Sequence, residues 1–156
     1  MQDTSVSELG VLGAGQMGRG IAQVAAQAGV RVLLCDIDRA IADAGRAKIK
    51  ASLDGLVGKG KIAAELASRT IENIVPVASV SEFGRVDFAI EAATENLELK
   101  RKLFMGLDAA LPAEATLATN TSSISITLLA AATKRPTAVI GMHFMNPVPI
   151  MKLIEV

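Results

Sequence analysis

Gly10-Val11-Leu12-Gly13-Ala14-Gly15-Gln16-Met17-Gly18-Arg19-Gly20-Ile21-Ala22-Gln23-Val24-Ala25-Ala26-Gln27-Ala28-Gly29 is the stretch on which the reading of the fold turns. The apolar run Leu9–Leu12 has the length of a buried strand and ends in glycines. From Gln16 the spacing becomes helical and predicts one face made of Met17, Ile21, Val24, Ala25 and Ala28, with Gly29 as the C-cap. Between strand and helix, Gly13-Ala14-Gly15-Gln16-Met17-Gly18 fits G-x-G-x-x-G. Six letters alone are a weak signal in a chain with 13 glycines. The preceding strand, the following helix and a second strand ending at an acid supply the context that the motif needs. Gly13 permits the tight turn, Gly15 lets the backbone approach a pyrophosphate, and Gly18 lets the helix pack close to the strand. The first helical N–H groups and the positive dipole end would then face the phosphates, which makes Gly13 to Gly18 candidate cofactor contacts.

Asp36 ends the second strand, Arg31–Cys35, eighteen residues beyond Gly18. A carboxylate there accepts both ribose hydroxyls and repels a 2′-phosphate, so NAD is expected over NADP, tempered by the nearby Arg39. Asp38 reads as a helix cap. Helices are predicted over Arg39–Leu56 and Ile62–Asn73, interrupted by Gly58 and Gly60, and again over Leu97–Ala110 and Ile124–Ala132. The last is expected to be capped by Ser122, Ser123 or Ser125. Strands are predicted at Val75–Ala78, Val86–Ala92, Ala115–Thr119, Val139–His143 and Met151–Val156. Strands alternating with helices imply an α/β fold: a Rossmann-type, doubly wound, mostly parallel sheet with helices on both faces, here one domain over residues 1–156.

Composition narrows the function. Sixteen basic residues meet sixteen acidic ones, and the formal net charge is zero, unlike that of an electrostatic nucleic-acid binder. Aromatic residues make up 3% of the chain, too few for a base-stacking platform, while 51% hydrophobic content is far from that of a disordered chain. One cysteine, Cys35, cannot form an internal disulfide, and one cysteine with one histidine is too few soft ligands for a zinc site. No apolar run spans a membrane, and the polar start MQDTSVSELG is unlike a signal peptide. The expected setting is cytoplasmic, or an organelle whose targeting segment is absent.

The one histidine, His143, ends the strand AVIGMH, at the carboxyl edge where open α/β sheets bind ligands. A lone histidine is commonly structural. However, Glu155 follows twelve residues later within LIEV, where a buried acid would need a partner, and imidazole can serve as general base. Asn120-Thr121-Ser122-Ser123 reaches the same edge, as a cap cluster, as a hydroxyl donor, or as both.

GVLGAGQMGRGIAQVAAQAG, EAATENLELKRKLF, ATNTSS and GMHFMNPVPIMKLIEV together resemble the NAD-binding domain of the L-3-hydroxyacyl-CoA dehydrogenases, over about Leu9 to Val156. The resemblance implies NAD as cofactor and an acyl-CoA as small-molecule substrate. His143 would be the catalytic base, oriented by Glu155, with Ser122 on the substrate oxygen and Asn146 near the nicotinamide. It further implies that Ala92, Glu95, Lys100 and Asn120 join the cofactor contacts. By spacing alone Glu95 and Lys100 would be a surface charge pair. Lys48 and Lys59 lie loosely where the family meets the coenzyme A phosphates.

Two departures stand out. HFMNP has Met145 where the family usually carries a second aromatic, and the helical C-terminal domain that supplies much of the acyl pocket and the homodimer contacts is expected in a longer parent. Alternatives left open are a dehydrogenase of a 3-hydroxy acid or sugar acid without coenzyme A, and, for the isolated chain, a nucleotide-binding module without turnover. Acyl chain length, direction, and a stand-alone or multifunctional parent are not legible.

Overall fold

The computed structural model describes residues 6–156; residues 1–5, the start of the polar N-terminal run, lie outside the described residues. The elements run β1 (Glu8–Leu12), α1 (Gln16–Gln27), β2 (Arg31–Cys35), α2 (Arg39–Gly58), α3 (Ala64–Glu72), β3 (Ile74–Val77), β4 (Phe88–Glu91), α4 (Leu97–Ala110), β5 (Thr116–Thr119), α5 (Ile126–Ala130), β6 (Val139–Gly141), β7 (His143–Phe144) and β8 (Ile154–Glu155). Short 3-10 turns at Val80–Phe83 and Pro136–Ala138 were not predicted.

The first six strands form one parallel sheet in the order β3-β2-β1-β4-β5-β6. This is the expected Rossmann-type winding: it leaves β1 in opposite directions, so right-handed crossovers place the two sets of helices on opposite faces. α1, α2 and α3 pack together on one face, and α4 and α5 on the other. Strands covered on both sides read as apolar runs, as RVLLC does. Pro76 is tolerated because β3 is an edge strand. Asp38 caps α2 as predicted, its carboxylate accepting the Ile41 N–H.

Five expectations need correction. The buried face of α1 consists of Gly18, Gly20, Ile21, Ala22, Gln23 and Ala26; Met17, Val24 and Ala25 are half-buried and Ala28 is exposed. Small residues turn toward the sheet because only they let the helix lie that close, and the larger ones fill the rim. The predicted strand Val139–His143 is two strands. Parallel pairing ends at Gly141, the Met142 N–H still donates to Thr119 O, and His143–Phe144 then pairs antiparallel with Ile154–Glu155 in a separate two-stranded ladder. Of the run Met151–Val156 only Ile154–Glu155 is strand, and residues 149–156 are all exposed. The helix expected to stop at Leu56 runs on to Gly58, and the next begins at Ala64 rather than Ile62.

A polar clamp closes the α4 end. Arg135 donates to Asp108 Oδ1 at 2.7 Å and to the carbonyls of Asp108, Leu111, Pro112 and Ala115. It thereby satisfies acceptors that the end of a helix leaves open. Burial alone would push the Asp108 carboxyl up. The Lys134 N–H, the Arg135 hydrogen bond and the Arg135 charge outweigh it and hold the group below its ordinary 3.8. A depressed folded value means stability that is present above pH 3.8 and lost as pH falls through the lower folded value. Arg135→Met is expected to lower unfolding stability by about 3 kcal/mol near neutral pH. It should also flatten the acid limb of a stability-against-pH curve measured by urea unfolding.

Candidate active site

The glycine turn is fixed by its neighbours. Gly13 takes φ +111°, donates its N–H to Cys35 O at 2.8 Å, and presses so close to β4 that a Cβ would lie 2.7 Å from Ala92 O. A Cβ on Gly18 would lie 1.7 Å from Gly13 O, so no other residue fits there. Gly15 is different, since a Cβ there would meet nothing within 4 Å. That open space above the start of α1 is where the fold brings a pyrophosphate, and it is bounded by the backbone of Gln16 and Met17. The residues present therefore fit a dinucleotide.

Beside this turn lies a cavity of about 350 Å³ lined in part by Gly15, Asp36, Ile37, Ala92, Thr94 and Leu99. Asp36 accepts the Ala14 N–H at 2.5 Å and the Ile37 N–H at 2.7 Å, which fixes its carboxylate at the wall of this cavity. Arg39 is engaged elsewhere, both carboxylate oxygens of Asp43 lying 3.1 Å from its Nε. Nothing of that cation is directed at Asp36, in keeping with NAD. Ile37 and Leu99 are exposed apolar walls that the sequence reading passed over; a large apolar residue immediately after a strand-end acid was the available signal. Burial, with the Asp36 and Glu82 charges behind it, pushes the Cys35 thiol up to about 11, so it stays protonated near neutral pH.

At the ends of β4 and β5 a buried ion pair organises the loops. Lys100, 1% exposed, lies 2.8 and 2.9 Å from the two oxygens of Glu91, which is 0% exposed. Glu91 also accepts the Ala93 N–H and the Thr119 hydroxyl. The ammonium continues to Ala93 O and, at 3.5 Å, to Glu95 Oε2. Glu95 in turn accepts the Thr121 hydroxyl, the Ser122 N–H and the Ser123 hydroxyl. Partial burial would raise the Glu95 carboxyl, but the Thr121 hydroxyl, the Lys100 charge and the Ser122 N–H hold it below its ordinary value. Glu95 and Lys100 are thus no simple surface pair. The expectation that a serine side chain caps α5 is also corrected: Ser125 stands at the cap without a side-chain bond, and the Thr121 hydroxyl accepts the Ser123 and Ile124 N–H groups instead. Ser122 is left exposed at this turn. Glu91 was not singled out from sequence, although an acid inside an apolar strand signals a buried partner.

His143 and Glu155 do come together, Nδ1 to Oε2 at 2.8 Å across the β7–β8 ladder. The buried setting expected for Glu155 is wrong, because its side chain is 64% exposed and no neighbouring element covers β8. With the carboxylate on Nδ1, a neutral ring keeps its proton there and leaves Nε2 unprotonated. Asn120 Oδ1 accepts the Phe144 N–H at 2.8 Å, joining β7 to the end of β5. Gln16 Nε2 donates to Asn146 Oδ1 at 3.1 Å, joining the glycine turn to the same region. Lys48 lines a second hollow with Gly15, Arg19 and Asp36. Lys59, the C-cap of α2, stands eleven residues further on, about 16 Å along that helix axis.

Glu91→Leu leaves a buried ammonium without its partner and is expected to lower stability by about 3–5 kcal/mol. Removing both charges, as Glu91→Leu with Lys100→Met, should recover most of that loss in the same urea-unfolding measurement.

Residues 8–156 match the family model described as "3-hydroxyacyl-CoA dehydrogenase, NAD binding domain". The chain is 47% identical over 150 residues to a 3-hydroxybutyryl-CoA dehydrogenase of Bradyrhizobium diazoefficiens, covering 96% of this chain and 51% of that protein. It is 45% identical over 152 residues to the 3-hydroxyadipyl-CoA dehydrogenase of Escherichia coli, covering 97% of this chain and 32% of the relative. The crystal structure of (S)-3-hydroxybutyryl-CoA dehydrogenase from Ralstonia eutropha superposes with a TM-score of 0.93 at 43% identity, over 96% of this chain and 53% of that one. The chain therefore spans about half or less of the length of these proteins. With the glycine turn, Asp36 and the strand order all in agreement, this chain belongs to the 3-hydroxyacyl-CoA dehydrogenase family, of which it is the NAD-binding domain.

Proposed function

We propose that this domain serves the NAD-dependent interconversion of an (S)-3-hydroxyacyl-CoA and its 3-oxoacyl-CoA, with His143 as the acid–base group. The observation that carries this reading is the 2.8 Å contact between His143 Nδ1 and Glu155 at the edge that also bears the glycine turn. The names of the relatives support the substrate class. Bound NAD supplies the hydride acceptor. His143 Nε2 takes the proton of the substrate 3-hydroxyl, or returns it to the 3-oxo oxygen in the reverse direction. Glu155 holds the ring in the tautomer that exposes Nε2 and stabilises the imidazolium once it forms. The Ser122 hydroxyl donates to the same substrate oxygen, on a turn held by Glu95, and Asn146 sets the nicotinamide end. Gly13 to Gly18, Asp36, Ala92, Glu95, Lys100 and Asn120 build the cofactor side, Lys100 acting there through its contact with Glu95.

We place the coenzyme A phosphates along α2, where Lys48 and Lys59 are exposed. The setting we read is cytoplasmic, and a homodimer is the assembly that the resemblance implies. Among the described residues no helix is long and apolar enough to cross a membrane.

Two measurements test the reading. By calorimetry this chain binds NADH, and Asp36→Ala weakens binding roughly 10–100-fold through loss of a charge-assisted hydrogen bond. In the full-length protein, reduction of acetoacetyl-CoA by NADH loses about 10²–10⁴-fold in kcat with His143→Gln, at little cost in KM. Turnover that survives this substitution would remove His143 from the chemistry, and faster turnover of the free acid than of the thioester would remove coenzyme A from the substrate.

A further inference from the structure

His143 and Glu155 lie at the two ends of one hairpin, β7–β8, and that hairpin stands outside the main sheet. Its connecting segment has little hold on the protein: Asn146, Pro147 and 149–153 are exposed, while Val148 is 6% exposed and belongs to the core beneath α1. Val148 sits on Gly20. A Cβ built on Gly20 would lie 2.7 Å from Val148 Cβ and 3.0 Å from Val148 Cγ2. Both contacts are with a β-branched side chain, which has no flexible end to move aside. The approach would have to open by about 1 Å to reach ordinary contact at 3.4–4 Å.

We propose that Gly20 is a positioning residue for the acid–base pair: by lacking a side chain it seats Val148 on α1, and the seated hairpin sets where His143 and Glu155 stand relative to the glycine turn. Gly20 lies outside the G-x-G-x-x-G run, and at mid-helix a glycine costs helix stability compared with alanine. A glycine on the buried face is accounted for by a contact that alanine would spoil, and Val148 makes that contact. The Gln16–Asn146 hydrogen bond reaches the same segment from the same helix, four residues before Gly20. Two points of α1 thus hold the hairpin, one polar at the helix start and one apolar a turn later. The Asn120–Phe144 bond holds its other side.

The inference rests on the functional reading above for its consequence in turnover, but not for its structural content. The chain has a single histidine, so the ring nitrogen signals of His143 report the hairpin without overlap. In this chain at fixed pH, Gly20→Ala is expected to move the His143 ring 15N signals away from their wild-type positions. Adding Val148→Ala to Gly20→Ala should return them to those of Val148→Ala alone. In the full-length protein Gly20→Ala lowers kcat by on the order of 10²-fold, as a displacement of about 1 Å at a reacting group does, and the double variant turns over at the rate of Val148→Ala alone. Gly20→Ala that folds and leaves the imidazole signals at their wild-type positions overturns the proposal. So does a double variant whose imidazole differs from that of Val148→Ala alone; this comparison decides the matter even where Gly20→Ala by itself does not fold. Loss of turnover in the wild-type protein would instead count against the functional reading, and the imidazole comparison would still decide the role of Gly20.

Discussion

The first turn of α1 lies closer to β1 than any side chain would permit, and the site is arranged around that approach. A Cβ on Gly18 would fall 1.7 Å from the carbonyl of Gly13. Because the helix is drawn in this far, its open N–H groups stand directly over the carboxyl end of β1. The Gly13 turn cannot relax away either, for β2 holds it through Cys35 O and β4 backs it through Ala92. Three adjacent strands therefore meet at one turn. Asp36 on the one side and Ala92 to Thr94 on the other become the walls of a single cleft, with Gly15 as the opening between them.

The polar interior next to this turn is better explained by geometry than by energy. A buried ion pair such as Glu91 with Lys100 gains little over well-packed apolar residues, because desolvation offsets most of the attraction. What the pair does is join four segments: the end of β4, the first turn of α4, the end of β5 through Thr119, and the 121–123 turn through Glu95. Ser122 is exposed, yet its backbone N–H is held by the Glu95 carboxylate, which in turn lies against the buried Lys100 ammonium. An apolar core at this place would be as stable and would leave the turn without a tether.

Legibility differed between these parts for physical reasons. β1, α1, β2 and α4 were readable to within a residue or two, because buried parallel strands and amphipathic helices print their period directly on the sequence. The glycine turn and Asp36 were readable because backbone sterics admit so few residues there. The face of α1 was misread, since the reading counted large apolar residues and the sheet took the small ones. The break at Met142 was invisible because VIGMHF reads as one unbroken strand-length run, while the Phe144 N–H is bonded by Asn120, a residue distant in sequence. Glu155 was expected to be buried from its apolar neighbours Leu153, Ile154 and Val156, which are themselves exposed. The pairing of His143 with Glu155 was legible, although the burial expected of Glu155 is absent.

That last point bears on how the pair is maintained. An exposed ion pair or charged hydrogen bond contributes little by itself, since solvent screens it and two side chains must be ordered to make it. Glu155 is exposed, and the ladder that carries it is two residues long on each side, so the His143–Glu155 contact cannot be what holds the hairpin in place. The order of cause runs the other way. Phe144 is buried and tied to Asn120, Val148 is buried against α1, and between them the hairpin is fixed closely enough for an imidazole and a carboxylate to meet at 2.8 Å. The glycine-turn side of the cleft is thus shaped by backbone packing within the sheet, and the placement of His143 and Glu155 by a few side-chain anchors on an appendage. Substitutions in the first should register as lost fold or lost nucleotide affinity. Substitutions at the anchors of the second can leave both intact and still displace His143 from Glu155.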